Sequence, residues 1–224
     1  MIDVGQANSF EFTLSPSIME GKEVVVTGTA CNSDIKKNSA SVAIIPRDAF
    51  TQKPANNLID ALVHVPGVSQ ITTGTAISKP VIRGLGYNRV VTISSGVKQE
   101  GNQFGDDHGI EIDQYSPGRV ELIRGPASLL YGSDALAGVI NIVNPIPVPD
   151  DEGRMHAEFL SNYNTNNGLW GNSLMFYENQ NGFVYRVRGT YKTAHSFKTP
   201  DGYYPNSGYN ELDFDLQAGL NKAW

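Results

Sequence analysis

The stretch "RGPASLLYGSDALAGVINIV", Arg124 to Val143, decides how the rest of this chain reads. Its glycines and serine suggest a phosphate cradle, but no Gly-Lys-Ser/Thr follows at the required spacing and the stretch contains no lysine. It is not a nucleophile elbow, because Gly-x-Ser-x-Gly occurs nowhere in the chain. The four histidines, His64, His108, His156 and His195, form no His-Glu-x-x-His pattern. "RGLGYN" has two glycines and no dinucleotide-type third. Nothing here points to catalysis, and no catalytic residue is expected. What remains is structural. Pro126 and Gly132 bracket a short helix, and "GVINIV" reads as a buried strand.

Working outward, strand and helix signals alternate from Ser39 to about Pro145. "SVAII", "PVIRG", "RVVTIS" and "RVELIRG" read as strands. "PANNLIDALVHV" reads as a helix with Pro54 in its first turn and Leu58, Ile59, Leu62 and Val63 on one face, ended by Pro66-Gly67. This predicts a compact α+β domain over residues 39–148.

Beyond the Pro-rich joint "NPIPVPDDEG" the pattern becomes all strand, over residues 149–224. Phe183, Tyr185, Val187 and Tyr191 alternate with Val184, Arg186, Arg188 and Lys192. Leu212, Phe214, Leu216, Ala218 and Leu220 alternate with Glu211, Asp213, Asp215 and Gln217. Segments near 153–163 and 169–178 alternate less cleanly. A soluble sandwich shows this pattern with a core on the apolar side. An outer-membrane barrel shows it with lipid on the apolar side and a polar lumen. The connection "NQNG" is short and "HSFKTPDGYYPNSGY" is long, which fits a barrel's short turns and long loops. Four strands cannot close a barrel, so on that reading the chain is the N-terminal piece of something longer.

Composition bounds the alternatives. The 224 residues are 40% hydrophobic, enough for a core, with 23 Gly and ten Tyr favouring turns and strands. The net charge of −6 argues against a nucleic-acid partner. The single cysteine, Cys31, excludes an intrachain disulfide framework and a Cys-rich metal site. No run approaches roughly 18 apolar residues, so no transmembrane helix is expected. Residues 1–20, with Phe10, Phe12 and Leu14 alternating, look like a remnant of an upstream β-domain; residues 21–38 look like a flexible linker carrying the β-prone run Val24–Val26.

Four pieces in order resemble the plug domain of TonB-dependent outer-membrane receptors: "EVVVTG" (Glu23 to Gly28), "DALVHVPGV" (Asp60 to Val68), "PVIRGLGYNRVVTISSGV" and the opening stretch. The likeness covers roughly 22–144, and the strands beyond agree with the start of a barrel. One departure is Ser95-Gly96-Val97, where the family commonly has Asp-Gly-Val. The resemblance implies a mixed-sheet plug within a 22-stranded barrel of the kind whose lumen is plugged, outer-membrane lipid around it, and uptake of a scarce nutrient energised through TonB. A soluble secreted ligand-binding module is the alternative.

On this resemblance Glu23, Val24, Val25, Val26, Thr27 and Gly28 form the TonB box, an extended β-branched segment able to add as a strand to the TonB C-terminal domain; an ordinary first plug strand is the alternative. Arg83 and Arg124, each before a glycine, are expected to pair with carboxylates of the barrel wall; a solvated arginine is the alternative. In "FGDDHG", Asp106, Asp107 and His108 lie on a loop of the kind that faces arriving substrate. Some zinc-importing receptors of the family carry an Asp-His pair there, and Asp107-His108 resembles it. Carboxylate plus imidazole suits Zn²⁺ as cargo, with His195 as a further ligand; an acidic turn without a ligand is the alternative. Gln99, Glu100 and Gln103 could instead meet an organic chelate. No resident cofactor is expected.

Overall fold

The computed structural model describes residues 25–26, 33–34, 41–52, 55–101, 105, 108–144, 146 and 153–221. A short antiparallel pair, β1 (Val25–Val26) and β2 (Ser33–Asp34), stands apart from the other sheets. The α+β domain follows: β3 (Ser41–Pro46), α1 (Arg47–Thr51), α2 (Leu58–Leu62), β4 (Val68–Thr72), β5 (Ser78–Ile82), β6 (Val90–Ser94), β7 (Val97–Gln99), β8 (Arg119–Arg124) and β9 (Gly138–Val143). The strand-rich part contains β10 (His156–Asn164), β11 (Leu169–Gln180), β12 (Phe183–Ala194), β13 (Lys198–Thr199), β14 (Gly202–Tyr203) and β15 (Tyr209–Leu220).

The α+β domain is built on a five-stranded sheet ordered β3-β8-β9-β6-β7, in which β6 and β9 run parallel and the other pairs antiparallel. Alternation splits its apolar residues between two faces. Val120, Leu122, Ile140 and Ile142 pack with Leu58, Ile59 and Leu62 of α2, while Val91, Ile93, Ile123 and Val139 form a second cluster with Ala135. Burying each such side chain contributes roughly 2 kcal/mol.

The helix is shorter than its apolar pattern suggests. Asn57, in extended conformation, accepts the N–H of Asp60 and sets the start at Leu58 rather than near Pro54, which lies outside the described residues. The bracketed segment after β8 is a 3-10 helix, Pro126–Tyr131, between Gly125 and Gly132, both at positive φ. Two-residue turns recur with both residues at positive φ: Arg83-Gly84, Ser95-Gly96 and Asn181-Gly182. These suit tight reversals between antiparallel strands. Ser95, at the family's aspartate position, is therefore a turn residue between β6 and β7.

The long strands form an antiparallel meander, β10-β11-β12-β15. Their faces are inverted relative to a soluble protein. Leu212, Phe214, Leu216 and Leu220 are 64–81% exposed, whereas Arg186, Arg188 and Lys192 are 1–2% exposed. A sandwich would bury the first set; this sheet buries the second, against the α+β domain. Tyr163, Trp170 and Tyr191 lie exposed near one end of the sheet and Phe183 near the other, as interfacial girdles do. No described helix is long and apolar enough to cross a membrane, which says nothing of strands.

Candidate functional site: a polar cleft and a charged seam

Two features join the α+β domain to the long strands. The first is a cleft of about 790 Å³ at the sheet end that carries the long loop after β12. Its floor is the β4–β5 reversal, Thr72 to Ser78, together with Asn56, Asn57, Asp60 and Gln70; its rim is the β10–β11 turn and the loop after β12. The floor is tightly built. Asn57 caps α2 through its oxygen, and its amide nitrogen donates to the Thr75 carbonyl and to Ser78 Oγ. Asp60 accepts from Gln70 Nε2 and from the Asn56 N–H, each at 3.0 Å. Floor and rim are tied by Asn167 donating to Asn56 Oδ1 at 3.3 Å, by the Tyr209 hydroxyl donating to the Asn56 carbonyl at 3.2 Å, and by Thr75 donating to the Ser207 carbonyl.

The second feature is a seam of buried charges along the inner face of β12. Thr190 donates to Asp113 Oδ2 at 2.7 Å, and Lys192 Nζ lies 3.5 Å from Asp113 Oδ1 and 2.8 Å from Glu211. Asp113 also takes the Tyr115 N–H. Beside it, Glu158 of β10 accepts from Arg47 of α1 and from Arg188, at 3.1 Å for the latter. Arg186 pairs with Asp215 at 2.9 Å. Oxygens of Asp113, Glu211 and Asp213 lie within 4.8 Å of one another, close enough for a metal. The Lys192 ammonium already supplies the positive charge there. Burial raises the pKa of the Tyr115 phenol above its ordinary value, against the opposing pull of Lys192, whose ammonium lies 5.6 Å from the ring centroid.

The residues expected from sequence fall in several places. Glu23, Val24, Thr27, Gly28, Asp106 and Asp107 lie outside the described residues. Val25 and Val26 form β1 and are not in the five-stranded sheet. His108 is exposed, its N–H donating to the Gly105 carbonyl, and His195 is exposed, its N–H donating to the Asn167 carbonyl. Neither belongs to a three-residue metal-type grouping among the described residues. Arg83 and Arg124 converge on the Pro66-Gly67 turn. The Arg83 N–H donates to the Gly67 carbonyl at 2.9 Å, and Arg124 Nη1 donates to the Pro66 carbonyl at 3.1 Å. Among the described residues neither guanidinium bonds to the long strands. The side chains that do make the seam include Asp113, Glu158, Arg188 and Lys192. Their signal in sequence is the run of cations on one face of β12 facing the carboxylates of β15 at matched register, Arg188 opposite Asp215 and Lys192 opposite Glu211.

Comparison with known proteins agrees with this architecture. The family model "TonB-dependent Receptor Plug Domain" matches residues 34–139. The iron-regulated outer membrane virulence protein of Vibrio cholerae is 38% identical over 127 residues, 54% of this chain and 19% of that protein. The vitamin B12 transporter BtuB of Vibrio vulnificus is 34% identical over 125 residues, 54% and 20% of the respective chains. The chain thus spans about a fifth of the length of these relatives. Among solved structures, the copper transporter OprC superposes with a TM-score of 0.65 at 20% identity over 80% of this chain and 28% of its own. The siderophore receptor PirA from Pseudomonas aeruginosa gives 0.59 at 20% identity over 84% and 33%. A plug-domain match, an α+β domain seated on a polar strand face and an apolar opposite face agree on one assignment: residues 34–139 are a plug domain of the TonB-dependent receptor kind, followed by strands of the outer-membrane barrel type.

Proposed function

We propose that the complete protein is an energised transporter that carries a scarce small nutrient, metal chelates included, across the outer membrane, with the polar cleft as its landing site. The observation that carries this is the position of the cleft. It lies at the long-loop end of the four strands, opposite the two-residue Asn181-Gly182 turn. In outer-membrane barrels long loops face outward and short turns face the periplasm, so the cleft opens where substrate arrives. Relatives named for iron regulation, hemin and vitamin B12 support the nutrient class.

Energy enters at the other end. Glu23 to Gly28 add as a strand to the TonB C-terminal domain, and traction on Val25 and Val26 loosens the plug. A bare divalent ion such as Zn²⁺, held by Asp106, Asp107, His108 and His195, none of them among the described residues that line the cleft, is a competing, narrower form of this proposal. Arg83 and Arg124 meeting further wall carboxylates belongs to it as well.

The test is uptake of a labelled ferric chelate by cells carrying the full-length receptor, compared with Val25→Pro/Val26→Pro. Proline removes the N–H donors that strand addition needs. Uptake and TonB binding should both be lost. Uptake undiminished by the prolines would sink the reading.

A further inference from the structure

We infer that the cleft selects an electrically neutral ligand rich in hydroxyl and carbonyl oxygens, and rejects anionic chelates and bare cations. This rests on the transporter reading above and names the chemistry its landing site takes.

The charge inventory of the cleft carries the inference. Of the described residues that line it only Asp60 bears a formal charge at neutral pH, and no described lysine, arginine or histidine lines it. The Asp60 carboxylate is already committed. Gln70 Nε2 donates to one oxygen, and the Asn56 N–H and side-chain amide, at 3.0 and 3.4 Å, donate to the other. The nearby cations are engaged elsewhere. The Lys79 ammonium donates to the Gly105 carbonyl and lies 4.9 Å from the Tyr87 ring centroid; that of Lys198 lies 5.9 Å from the Tyr203 centroid. An anion entering this space would shed hydration without meeting a paired cation, which is costly. A metal ion would meet one carboxylate that is not free to turn.

What the cleft offers is neutral polarity. The side-chain amides of Asn164 and Asn206 carry no bond to another described residue, and Gln70 Oε1 is a buried acceptor without a partner among the described residues. Each amide presents both a donor and an acceptor. Tyr163 and Tyr204 are more than half exposed at the rim, with Tyr204 stacked on Phe197 at 5.1 Å and 11°. Aromatic surface beside amides and hydroxyls suits a ligand whose rings are apolar on their faces and oxygen-rich at their edges. A sugar chain and a neutral hydroxamate chelate share this chemistry.

The experiment is calorimetry on full-length receptor in detergent with four probes: a neutral ferric trishydroxamate, a linear maltooligosaccharide, an anionic ferric triscatecholate and ZnCl₂. One neutral probe should bind about 100-fold more tightly than the catecholate or Zn²⁺, and which one binds identifies the source. Asn164→Ala/Asn206→Ala should weaken that probe about tenfold while TonB binding stays intact. Tighter binding of the catecholate or Zn²⁺, no binding of either neutral probe, or undiminished binding to the double variant would overturn the inference. Outer-membrane fractionation and TonB binding are read on the same preparation. Their loss tells against the transporter reading; their persistence without neutral binding tells against the ligand class alone.

Discussion

Asp113 of the plug and Lys192 of β12 stand 3.5 Å apart, both nearly sealed from solvent, with Thr190 bonded to the second Asp113 oxygen. The plug is therefore held to its strands by a carboxylate inserted into a polar face. Asp113→Ala leaves the Tyr115 N–H without its acceptor, Thr190 with Ser173 as its remaining partner and Lys192 with Glu211 as its remaining bonded carboxylate. The expected cost is about 2–4 kcal/mol of plug attachment, read as protease cleavage of the plug at lower urea. A double-mutant cycle with Thr190→Val should show non-additivity; strict additivity would show that the contact carries no coupling.

Gly138 opens β9 at φ +148°, and an added Cβ would come within 2.7 Å of the Ile123 carbonyl oxygen. Gly138→Ala should destabilise the plug by about 2 kcal/mol or more. Gly189, where nothing lies within 4 Å, is the control and should tolerate alanine. Equal denaturation midpoints for the two variants would contradict the close approach.

Asn57→Ala removes the cap of α2 and the two bonds that hold the β4–β5 reversal. Loss of the cap alone costs about 1 kcal/mol. Because the same side chain shapes the cleft floor, ligand affinity should fall together with stability, whereas a purely local cap would lower only the denaturation midpoint.

Lys98 and Asp134 pair at 2.9 Å on the plug surface. The hydrogen bond from Lys98, then its charge, lowers the Asp134 pKa, and the bond to Asp134 raises that of Lys98. For a carboxylate with a depressed folded pKa, the stabilisation is present above the unfolded value of about 3.9. It is lost as pH falls through the folded value. For Lys98 the sign reverses: the stabilisation is present below the unfolded value and lost as pH rises through the raised one. NMR titration should find Asp134 deprotonating below an ordinary aspartate, and Lys98→Met should return it to the ordinary range. An unchanged titration in Lys98→Met would remove the pairing as the cause.

Much of the fold is legible in the residue pattern because period-two alternation survives whichever face is buried. The strands at β12 and β15 can be read directly, but which face meets lipid cannot. That follows only once Arg186, Arg188 and Lys192 are seen buried and Leu212 and Phe214 exposed. The shortness of α2 escapes an apolar pattern because one side chain, Asn57, sets its start. β4, β7 and the β13–β14 hairpin escape because short paired segments carry too few residues for a period. Asp113 escapes for another reason. Its partner Thr190 is 77 residues away, and an acid in a loop carries no mark of the surface it will meet. The arginines of the two "IRG" motifs were legible as special but not as neighbours; backbone geometry brings both to the Pro66-Gly67 turn.

The charged seam also bears on how the plug can move. Prising apart two apolar faces would cost about 25 cal/mol for each Å² exposed. A polar contact trades its partners for water, at a net cost near 1 kcal/mol per neutral bond and more where charges are buried. A cavity of about 190 Å³ lined by Glu111, Asp113, Arg188, Asp213 and Asp215 already lies within the seam, giving solvent a place to begin. The joint is therefore one that water can lubricate: its parts can slide and reseat without exposing an oily surface that would bind to whatever came next.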